Sequence, residues 1–232
     1  MCRRYSISPT AAELAERFDI DVPEAYRSRY NAAPTQILPV ITDDNPEGLS
    51  FFYWGVVPKF AKNKSLSPKL YNTKAETFIQ KATTSKALRQ RRCLVPADGF
   101  YDWKNVSKKG VVPYRFVLEG QKTFAFAGVW EEYEDDEEGM VYTFSIITTE
   151  ANAITRDMGL SMPAIIARED EKKWLNNDLN VDECTKLLKP FPAQMMNSFT
   201  VSSLLNNLEN DKPELLRPAP AADQFGNYTL FS

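Results

Sequence analysis

The residue with the most chemistry in it stands second in the chain, where Cys2 follows Met1. An initiator methionine is normally removed when the next residue is as small as cysteine. Removal leaves an α-amine and a thiol on the same residue. With a pKa of about 7.7–8, such an amine is substantially neutral at physiological pH. It can attack an aldehyde to form a Schiff base, as catalytic lysines do, without needing a large pKa shift. The thiol is then placed to close a five-membered thiazolidine. An internal cysteine cannot do this, because its nitrogen is an amide. Position alone leaves the plain alternative open, that Cys2 is an incidental small residue.

The rest of the composition narrows the chemistry. The chain has no histidine, which excludes Ser-His-Asp and Cys-His catalysis. Cys2, Cys93 and Cys184 are odd in number and lack metal-type spacing, so neither a disulfide framework nor a zinc site is expected. No metal or cofactor is expected. Cys93 lies in an apolar segment and reads as a core thiol. Cys184 has no basic neighbourhood beyond Lys186, so no reactivity is assigned to it.

The 232 residues are 43% hydrophobic, enough for one domain with a real core. No apolar run approaches the roughly 18–20 residues of a membrane span, and MCRRYSISPT lacks the apolar stretch of a secretory signal. A cytoplasmic monomer without membrane contact is expected, nucleoid-associated in a bacterium. The net charge of −3 hides an asymmetry: residues 1–110 hold 18 Lys+Arg against 11 Asp+Glu, and the remainder hold 10 against 20. A basic half can attract nucleic acid although the whole chain is slightly acidic; a solvated basic face would look the same.

The elements that must position these residues follow from local patterns. Thr10 and Glu13 form a T-x-x-E capping box ahead of a short amphipathic helix, Ala11 to Phe18. A loop containing Tyr30 to Pro34 leads into a strand from Ile37 to Thr42. Phe51 to Val57 reads as a strand ended by Pro58, Ala75 to Arg91 as a basic helix, and Cys93 to Val95 as a short strand. Asp98-Gly99 is turn chemistry. Further strands are expected at Tyr114 to Leu118, Thr123 to Trp130 and Val141 to Thr148. The acidic run Glu131 to Glu138 is expected to be the hairpin loop between the last two. Helices are expected at 168–176 and 182–189, and a late strand at Phe199 to Ser202. The tail after about residue 212 is expected to wrap over the surface. Strands outnumber alternating βα units, so the expected class is α+β with mostly antiparallel pairing in a single domain, 1–232.

Several blocks then resemble one family in order along the chain. The opening M-C-R-R-Y resembles M-C-G-R-[FY], and Arg29 to Pro34 resembles R-Y-N-x-A-P. Trp54 to Pro58 matches W-G-[LIV]-[LIVA]-P, and Asn72 to Thr77 resembles N-A-R-x-E-T. Arg92 to Trp103 resembles R-C-L-[IV]-P-A-x-G-[FY]-[FY]-E-W. Phe126 to Glu131, Thr148 to Asn152 and Met162-Pro163 match later blocks. Any one block is weak, but together, over about residues 2 to 190, they resemble the SOS response-associated peptidase (SRAP) family. The resemblance implies a barrel-like β core with flanking helices. It also implies a sensor that crosslinks itself to abasic sites in single-stranded DNA, where the opened sugar presents an aldehyde. It places catalysis on Cys2, Asn72 and Asp102, with Asn72 positioning Cys2. It places phosphate binding on Arg4 and Lys74, with Arg3 as an added cation. Asn31 and Pro34 would shape the pocket mouth. Phe60, in a lysine-flanked loop, would contact DNA, whereas Trp54 and Trp103 are expected mainly in the core.

The chain departs from the family pattern at three places. Arg3 replaces a glycine beside the nucleophile, and Asp102 replaces a glutamate. A carboxylate misplaced by about 1 Å can cost about a hundredfold in rate. The family's histidine falls in Met158-Gly159-Leu160-Ser161-Met162-Pro163, where none is present. In the resemblance that histidine manages protons, so capture is expected to be slowed and release from the adduct to be poor, with Asp102 or Ser161 as substitutes. Two rival readings remain: a single-stranded DNA-binding module that has lost its chemistry, and an N-terminal-nucleophile peptidase limited to removing Met1.

Overall fold

The computed structural model describes residues 2–55, 71–76, 88–135 and 139–228. The strands in chain order are β1 (Arg4–Ile7), β2 (Arg29–Ala32), β3 (Ile37–Thr42), β4 (Ser50–Trp54), β5 (Asn72–Lys74), β6 (Arg92–Ala97) and β7 (Gly99–Asn105). They continue with β8 (Val111–Leu118), β9 (Phe124–Asp135), β10 (Gly139–Glu150), β11 (Ser161–Pro163), β12 (Ile165–Ile166) and β13 (Met196–Thr200). The helices are α1 (Ala11–Phe18), α2 (Glu171–Leu175) and α3 (Val181–Leu187).

Five strands close on themselves. β10 pairs with β4, β4 with β3, β3 with β6, β6 with β9, and β9 returns to β10. All of these pairs are antiparallel except β10 with β4. Closure brings backbones very near each other at Gly128, where a Cβ would stand 2.7 Å from the Cys93 sulfur; only glycine fits there. Inside, Trp54 and Phe144 stack at 6.3 Å, and both are buried. The second sheet, β13-β8-β7-β1-β2, lies against this barrel through Tyr5. That ring sits 5.2 Å from Trp54 and 5.8 Å from Phe126, edge to face with both. Each such aromatic pair contributes about 0.5–1.5 kcal/mol beyond area burial. The two sheets therefore share one core, with Tyr5 as the link between Cys2 and the barrel.

Local signals explain the ends of several elements. Thr10 and Glu13 form the reciprocal cap of α1, with Glu13 accepting from the Thr10 N–H at 2.7 Å. Arg17 then grips Glu171 through both nitrogens, at 2.9 and 2.7 Å, and ties α1 to α2. At the β6–β7 corner, Asp98 accepts from Ser8 and from the buried Arg115 guanidinium at 2.9 Å.

Two expectations are corrected. The acidic run is not all loop: Glu131 to Asp135 continue β9, paired in register from Gly139↔Asp135 to Ile146↔Gly128. Pairing needs only backbone groups, and the β-prone partner around Val141 to Thr143 supplies them. Arg91 also holds Glu132 at 2.6 Å. Residues 136–138 lie outside the described residues. The segment from Tyr30 is likewise not loop throughout, since Arg29–Ala32 form β2 on the edge of β1. Its outward amides at Tyr30 and Asn31 donate to Asp211 at 2.6 and 2.9 Å. The expected helix from Ala75 to Arg91 is helical at 75–76 and 88–90, and its middle lies outside the described residues. The tail is anchored more firmly than a surface wrap, because Leu215 is buried and Val201 bridges to Pro218.

Candidate functional site

Cys2 lies immediately before β1, and β1 runs antiparallel to β7 with Arg4 opposite Tyr101. One step past that pair, Arg3 and Asp102 stand side by side at the end of the ladder. From the barrel side, β5 runs parallel to β10 with Asn72 opposite Ile146 and Lys74 opposite Thr148. The start of β5 is fixed by Tyr71, whose carbonyl accepts from the Trp54 indole at 2.9 Å and from the Ile146 N–H at 3.1 Å. Three expected residues therefore converge from three distant stretches. The Asn72 amide donates to the Cys2 carbonyl at 2.8 Å, and both residues are buried. Trp54 is wholly core, as its motif led one to expect.

Burial sets the electrostatics. It pushes the Cys2 thiol up to about 12, so at neutral pH the sulfur keeps its proton. The thiol hydrogen points to the Arg4 carbonyl, 3.7 Å away. Burial also raises the Asp102 carboxyl above its ordinary range, against the opposing pull of the Trp103 N–H, which donates to it at 2.9 Å, and of Arg3. Asp102 is thus readier than a surface carboxyl to hold a proton beside Cys2. Burial lowers the Arg4 guanidinium, which donates to the Arg3 carbonyl at 2.8 Å.

Three buried polar atoms near Cys2 have no hydrogen-bond partner among the described residues, Asn72 Oδ1, Tyr5 Oη and Arg4 Nε, as is true also of Thr148 Oγ1, Asn31 Oδ1 and Arg115 Nε. Each such atom costs about 1–3 kcal/mol when left unsatisfied. The three near Cys2 mark a place where a ligand's polar groups would be favoured. Beside it opens a cleft of about 280 Å³ lined by Arg3, Arg4, Trp103, Asn105, Val111, Met158 and Asn206. Two cations and an indole share that cleft. Trp103 therefore is not only core: it is half-buried, lines the opening and donates its indole N–H to Asn206 at 2.8 Å. Lys74 is exposed and projects to the same face of β5 as Asn72. Two larger hollows, of about 1000 and 700 Å³, lie around Arg17 and Arg168; none of the three openings is lined by Cys2, Asn72 or Asp102, and the small cleft is the one that adjoins them through Arg3 and Arg4.

The chain matches the model of the family described as SOS response associated peptidase (SRAP) over residues 1–208. The chain belongs to the SRAP family. It is 38% identical to the abasic site processing protein YoqW of Bacillus subtilis over 93% of this chain and 99% of that one. The abasic site processing protein HMCES of Rattus norvegicus is 27% identical, over 85% of this chain and 67% of that one. A crystal structure of a protein from Bacteroides thetaiotaomicron superposes with a TM-score of 0.79 at 26% identity, covering 94% of this chain and 100% of that one. A Bordetella bronchiseptica protein with a TM-score of 0.74 and 21% identity, covering 87% of this chain and 100% of its own, shares the fold.

In this SRAP domain the segment that would carry the family histidine is a tip over the cleft. Met158 lines the cleft, a Cβ on Gly159 would meet nothing within 4 Å, and Leu160 is 94% exposed. Asn31 is corrected. It is fully buried, and its amide donates to the carbonyls of Leu205, Asn207 and Asn210 at 3.0–3.2 Å. It clamps the C-terminal loop that carries Asn206 instead of facing a ligand. Pro34 sits in the β2–β3 turn, beside Thr35 with its left-handed φ of 73°, and is not among the cleft-lining residues. Phe60 lies outside the described residues. Sequence reasoning missed Tyr5, Tyr71 and Thr148. Tyr5 and Thr148 each stood inside a matched block, and Tyr71 was the immediate neighbour of another at Asn72. Cys93 is a core thiol, as expected. Among the described residues no cluster of His, Cys, Asp or Glu could hold a metal ion, and no helix is long and apolar enough to cross a membrane.

Proposed function

We propose that the protein captures abasic sites in single-stranded DNA through a thiazolidine formed on Cys2 once Met1 has been removed. The observation that carries this reading is the buried Asn72 amide, bonded to the Cys2 carbonyl while its own oxygen is left unpartnered. That oxygen is an acceptor held ready beside residue 2. The relatives named as abasic site processing proteins support the substrate class.

The steps balance without an outside reagent. The Cys2 α-amine adds to the C1′ aldehyde of the opened sugar, and loss of one water gives an imine. The Cys2 sulfur then adds to the imine carbon while its proton passes to the nitrogen, closing the ring. Asp102 sits in position to relay protons during both steps, and Arg3, Arg4 and Lys74 hold flanking phosphates. No imidazole stands at the 158–163 tip, so proton transfer in closing and in reopening the ring falls to Asp102 or Ser161, and both are slowed. Capture outlasting release is the expected behaviour. A thiol pushed up to about 12 also argues against the peptidase reading, because a nucleophilic cysteine depends on its thiolate.

Intact mass after mixing the purified protein with an abasic single strand tests the proposal in one measurement. A species lacking Met1 and heavier by the oligonucleotide minus one water is expected. It should be absent for Cys2→Ala. Retention of Met1 in a protein that still forms the adduct, or equal capture by Cys2→Ala, would overturn it.

A further inference from the structure

Leu160 is the most exposed large apolar side chain among the described residues, at 94%. A lone exposed leucine on a surface is ordinary; this one differs in how it is held and where. The loop that carries it is rigidly built. Asn152 Oδ1 accepts from the Ile154 and Thr155 amides and from the Thr155 hydroxyl, each at 3.1 Å. Its amide donates to the Phe191 carbonyl at 2.7 Å. Ala151 N–H closes the loop onto the Leu160 carbonyl at 3.1 Å, and β11 begins at the next residue, paired to β10 through Ser161↔Glu150. Lys104 reaches Asp157 across the cleft at 3.5 Å. Met158, two residues before Leu160, lines the same cleft as Arg3, Arg4 and Trp103.

An isobutyl group thus stands in water on a braced backbone, two residues beyond the methionine that lines an opening with Arg3 and Arg4, though Leu160 is not itself a lining residue. The ligand chemistry that fits both is a phosphate strand carrying flat apolar faces. An abasic strand offers a particular such face: the base next to the missing one has lost a stacking neighbour. Apolar side chains act as wedges at interrupted stacks. On the reading that Cys2 captures abasic DNA, we propose that Leu160 packs on the exposed face of the nucleobase adjoining the captured sugar. It is a positioning residue, since it touches no reacting atom. It selects lesions embedded in sequence over bare aldehydes.

The test uses Leu160→Ser and Leu160→Met with two single strands, one with bases on both sides of the abasic site and one with abasic spacers there. A 2-aminopurine beside the lesion reports contact in the first strand. The side chain is almost fully exposed, so neither substitution should disturb folding. Leu160→Ser is expected to slow adduct formation about tenfold on the base-flanked strand, the scale of one apolar side chain removed from water. It should match the unsubstituted protein on the spacer strand, and Leu160→Met should retain most of the rate. Equal rates for Leu160→Ser on the base-flanked strand, or equal slowing on both strands, would overturn the wedge. If the unsubstituted protein forms no adduct on either strand, capture itself fails. The wedge is then decided by 2-aminopurine emission: a change on binding that Leu160→Ser abolishes upholds it, and no change refutes it.

Discussion

Replacing Asn72 with alanine should separate chemistry from stability, because the two effects on stability oppose each other. The substitution removes one buried hydrogen bond, to the Cys2 carbonyl at 2.8 Å. A bond of that kind contributes about 0.5–1.5 kcal/mol net, and the carbonyl left behind costs about 1–3 kcal/mol if no water reaches it. It also removes Asn72 Oδ1, which is buried without a partner and so already carries a penalty of about 1–3 kcal/mol. The difference is about 0.5–1.5 kcal/mol, a melting shift of at most about 6 °C for a chain this long. Capture should respond differently. Without the amide, nothing fixes the Cys2 backbone relative to β5, and a displacement of about 1 Å costs about a hundredfold. Single-turnover adduct formation on denaturing gels, measured across oligonucleotide concentrations, would show this as a lower maximal rate with unchanged half-saturation. A wild-type maximal rate would refute the assignment. So would a melting loss of ten degrees or more, which would make Asn72 a structural residue.

Asn31→Ala should do the reverse. The carbonyls of Leu205, Asn207 and Asn210 lose their donor, offset in part by removal of the unpartnered Asn31 Oδ1, so a loss of about 1 kcal/mol and about 2–4 °C in melting temperature is expected, with DNA affinity little changed at low temperature; unaltered melting with lost affinity would restore Asn31 to the binding surface. Asp102→Asn should slow capture and raise the melting temperature at neutral pH. The fold raises the Asp102 pKa by burial, so its contribution to stability is complete below the ordinary carboxylate range and is lost as pH rises through the folded value. The melting difference should therefore shrink on acidification, and an Asn variant less stable at neutral pH would contradict it. Lys74→Ala should reduce the slope of log affinity against log salt by about one, leaving the maximal capture rate unchanged; an unaltered slope would remove Lys74 from the phosphate path.

What could be read from the sequence was what depends on neighbours in the chain. The Thr10–Glu13 cap, β3 from Ile37 to Thr42 and the strand around Leu94 each follow from a few adjacent residues. The meeting of Cys2, Asn72 and Asp102 was legible only through resemblance, since no local pattern says that β5 lies along β10 or that β1 lies along β7. Asn31 misled for the same reason. Its motif is a good marker, but its amide turns inward to residues 205–210, a stretch with no recognisable pattern. Tyr5 illustrates the limit most sharply. It stands in the opening motif, but that it is buried in β1 with its hydroxyl unpartnered depends on rings contributed by Trp54 and Phe126. The acidic stretch after Trp130 was misread because charge was weighed above strand pairing, which at a hairpin needs only the partner's backbone.

The buried thiol also favours one order of bond formation. A sulfur that keeps its proton up to about pH 12 is a poor opening nucleophile at neutral pH, whereas a free α-amine at the same residue, with a pKa of about 7.7–8, is largely ready. Nitrogen is therefore the expected first attacker. Once the imine has formed, the carbon beside it is electrophilic, and the sulfur is already adjacent in the same residue. Closing the ring costs no further search, and burial that would cripple a cysteine hydrolase becomes harmless. The same burial slows the reverse: reopening needs a proton delivered to a sulfur closed off from solvent, and Asp102 must serve both directions. A fold that hides its thiol is thus suited to trapping an aldehyde and ill suited to letting it go.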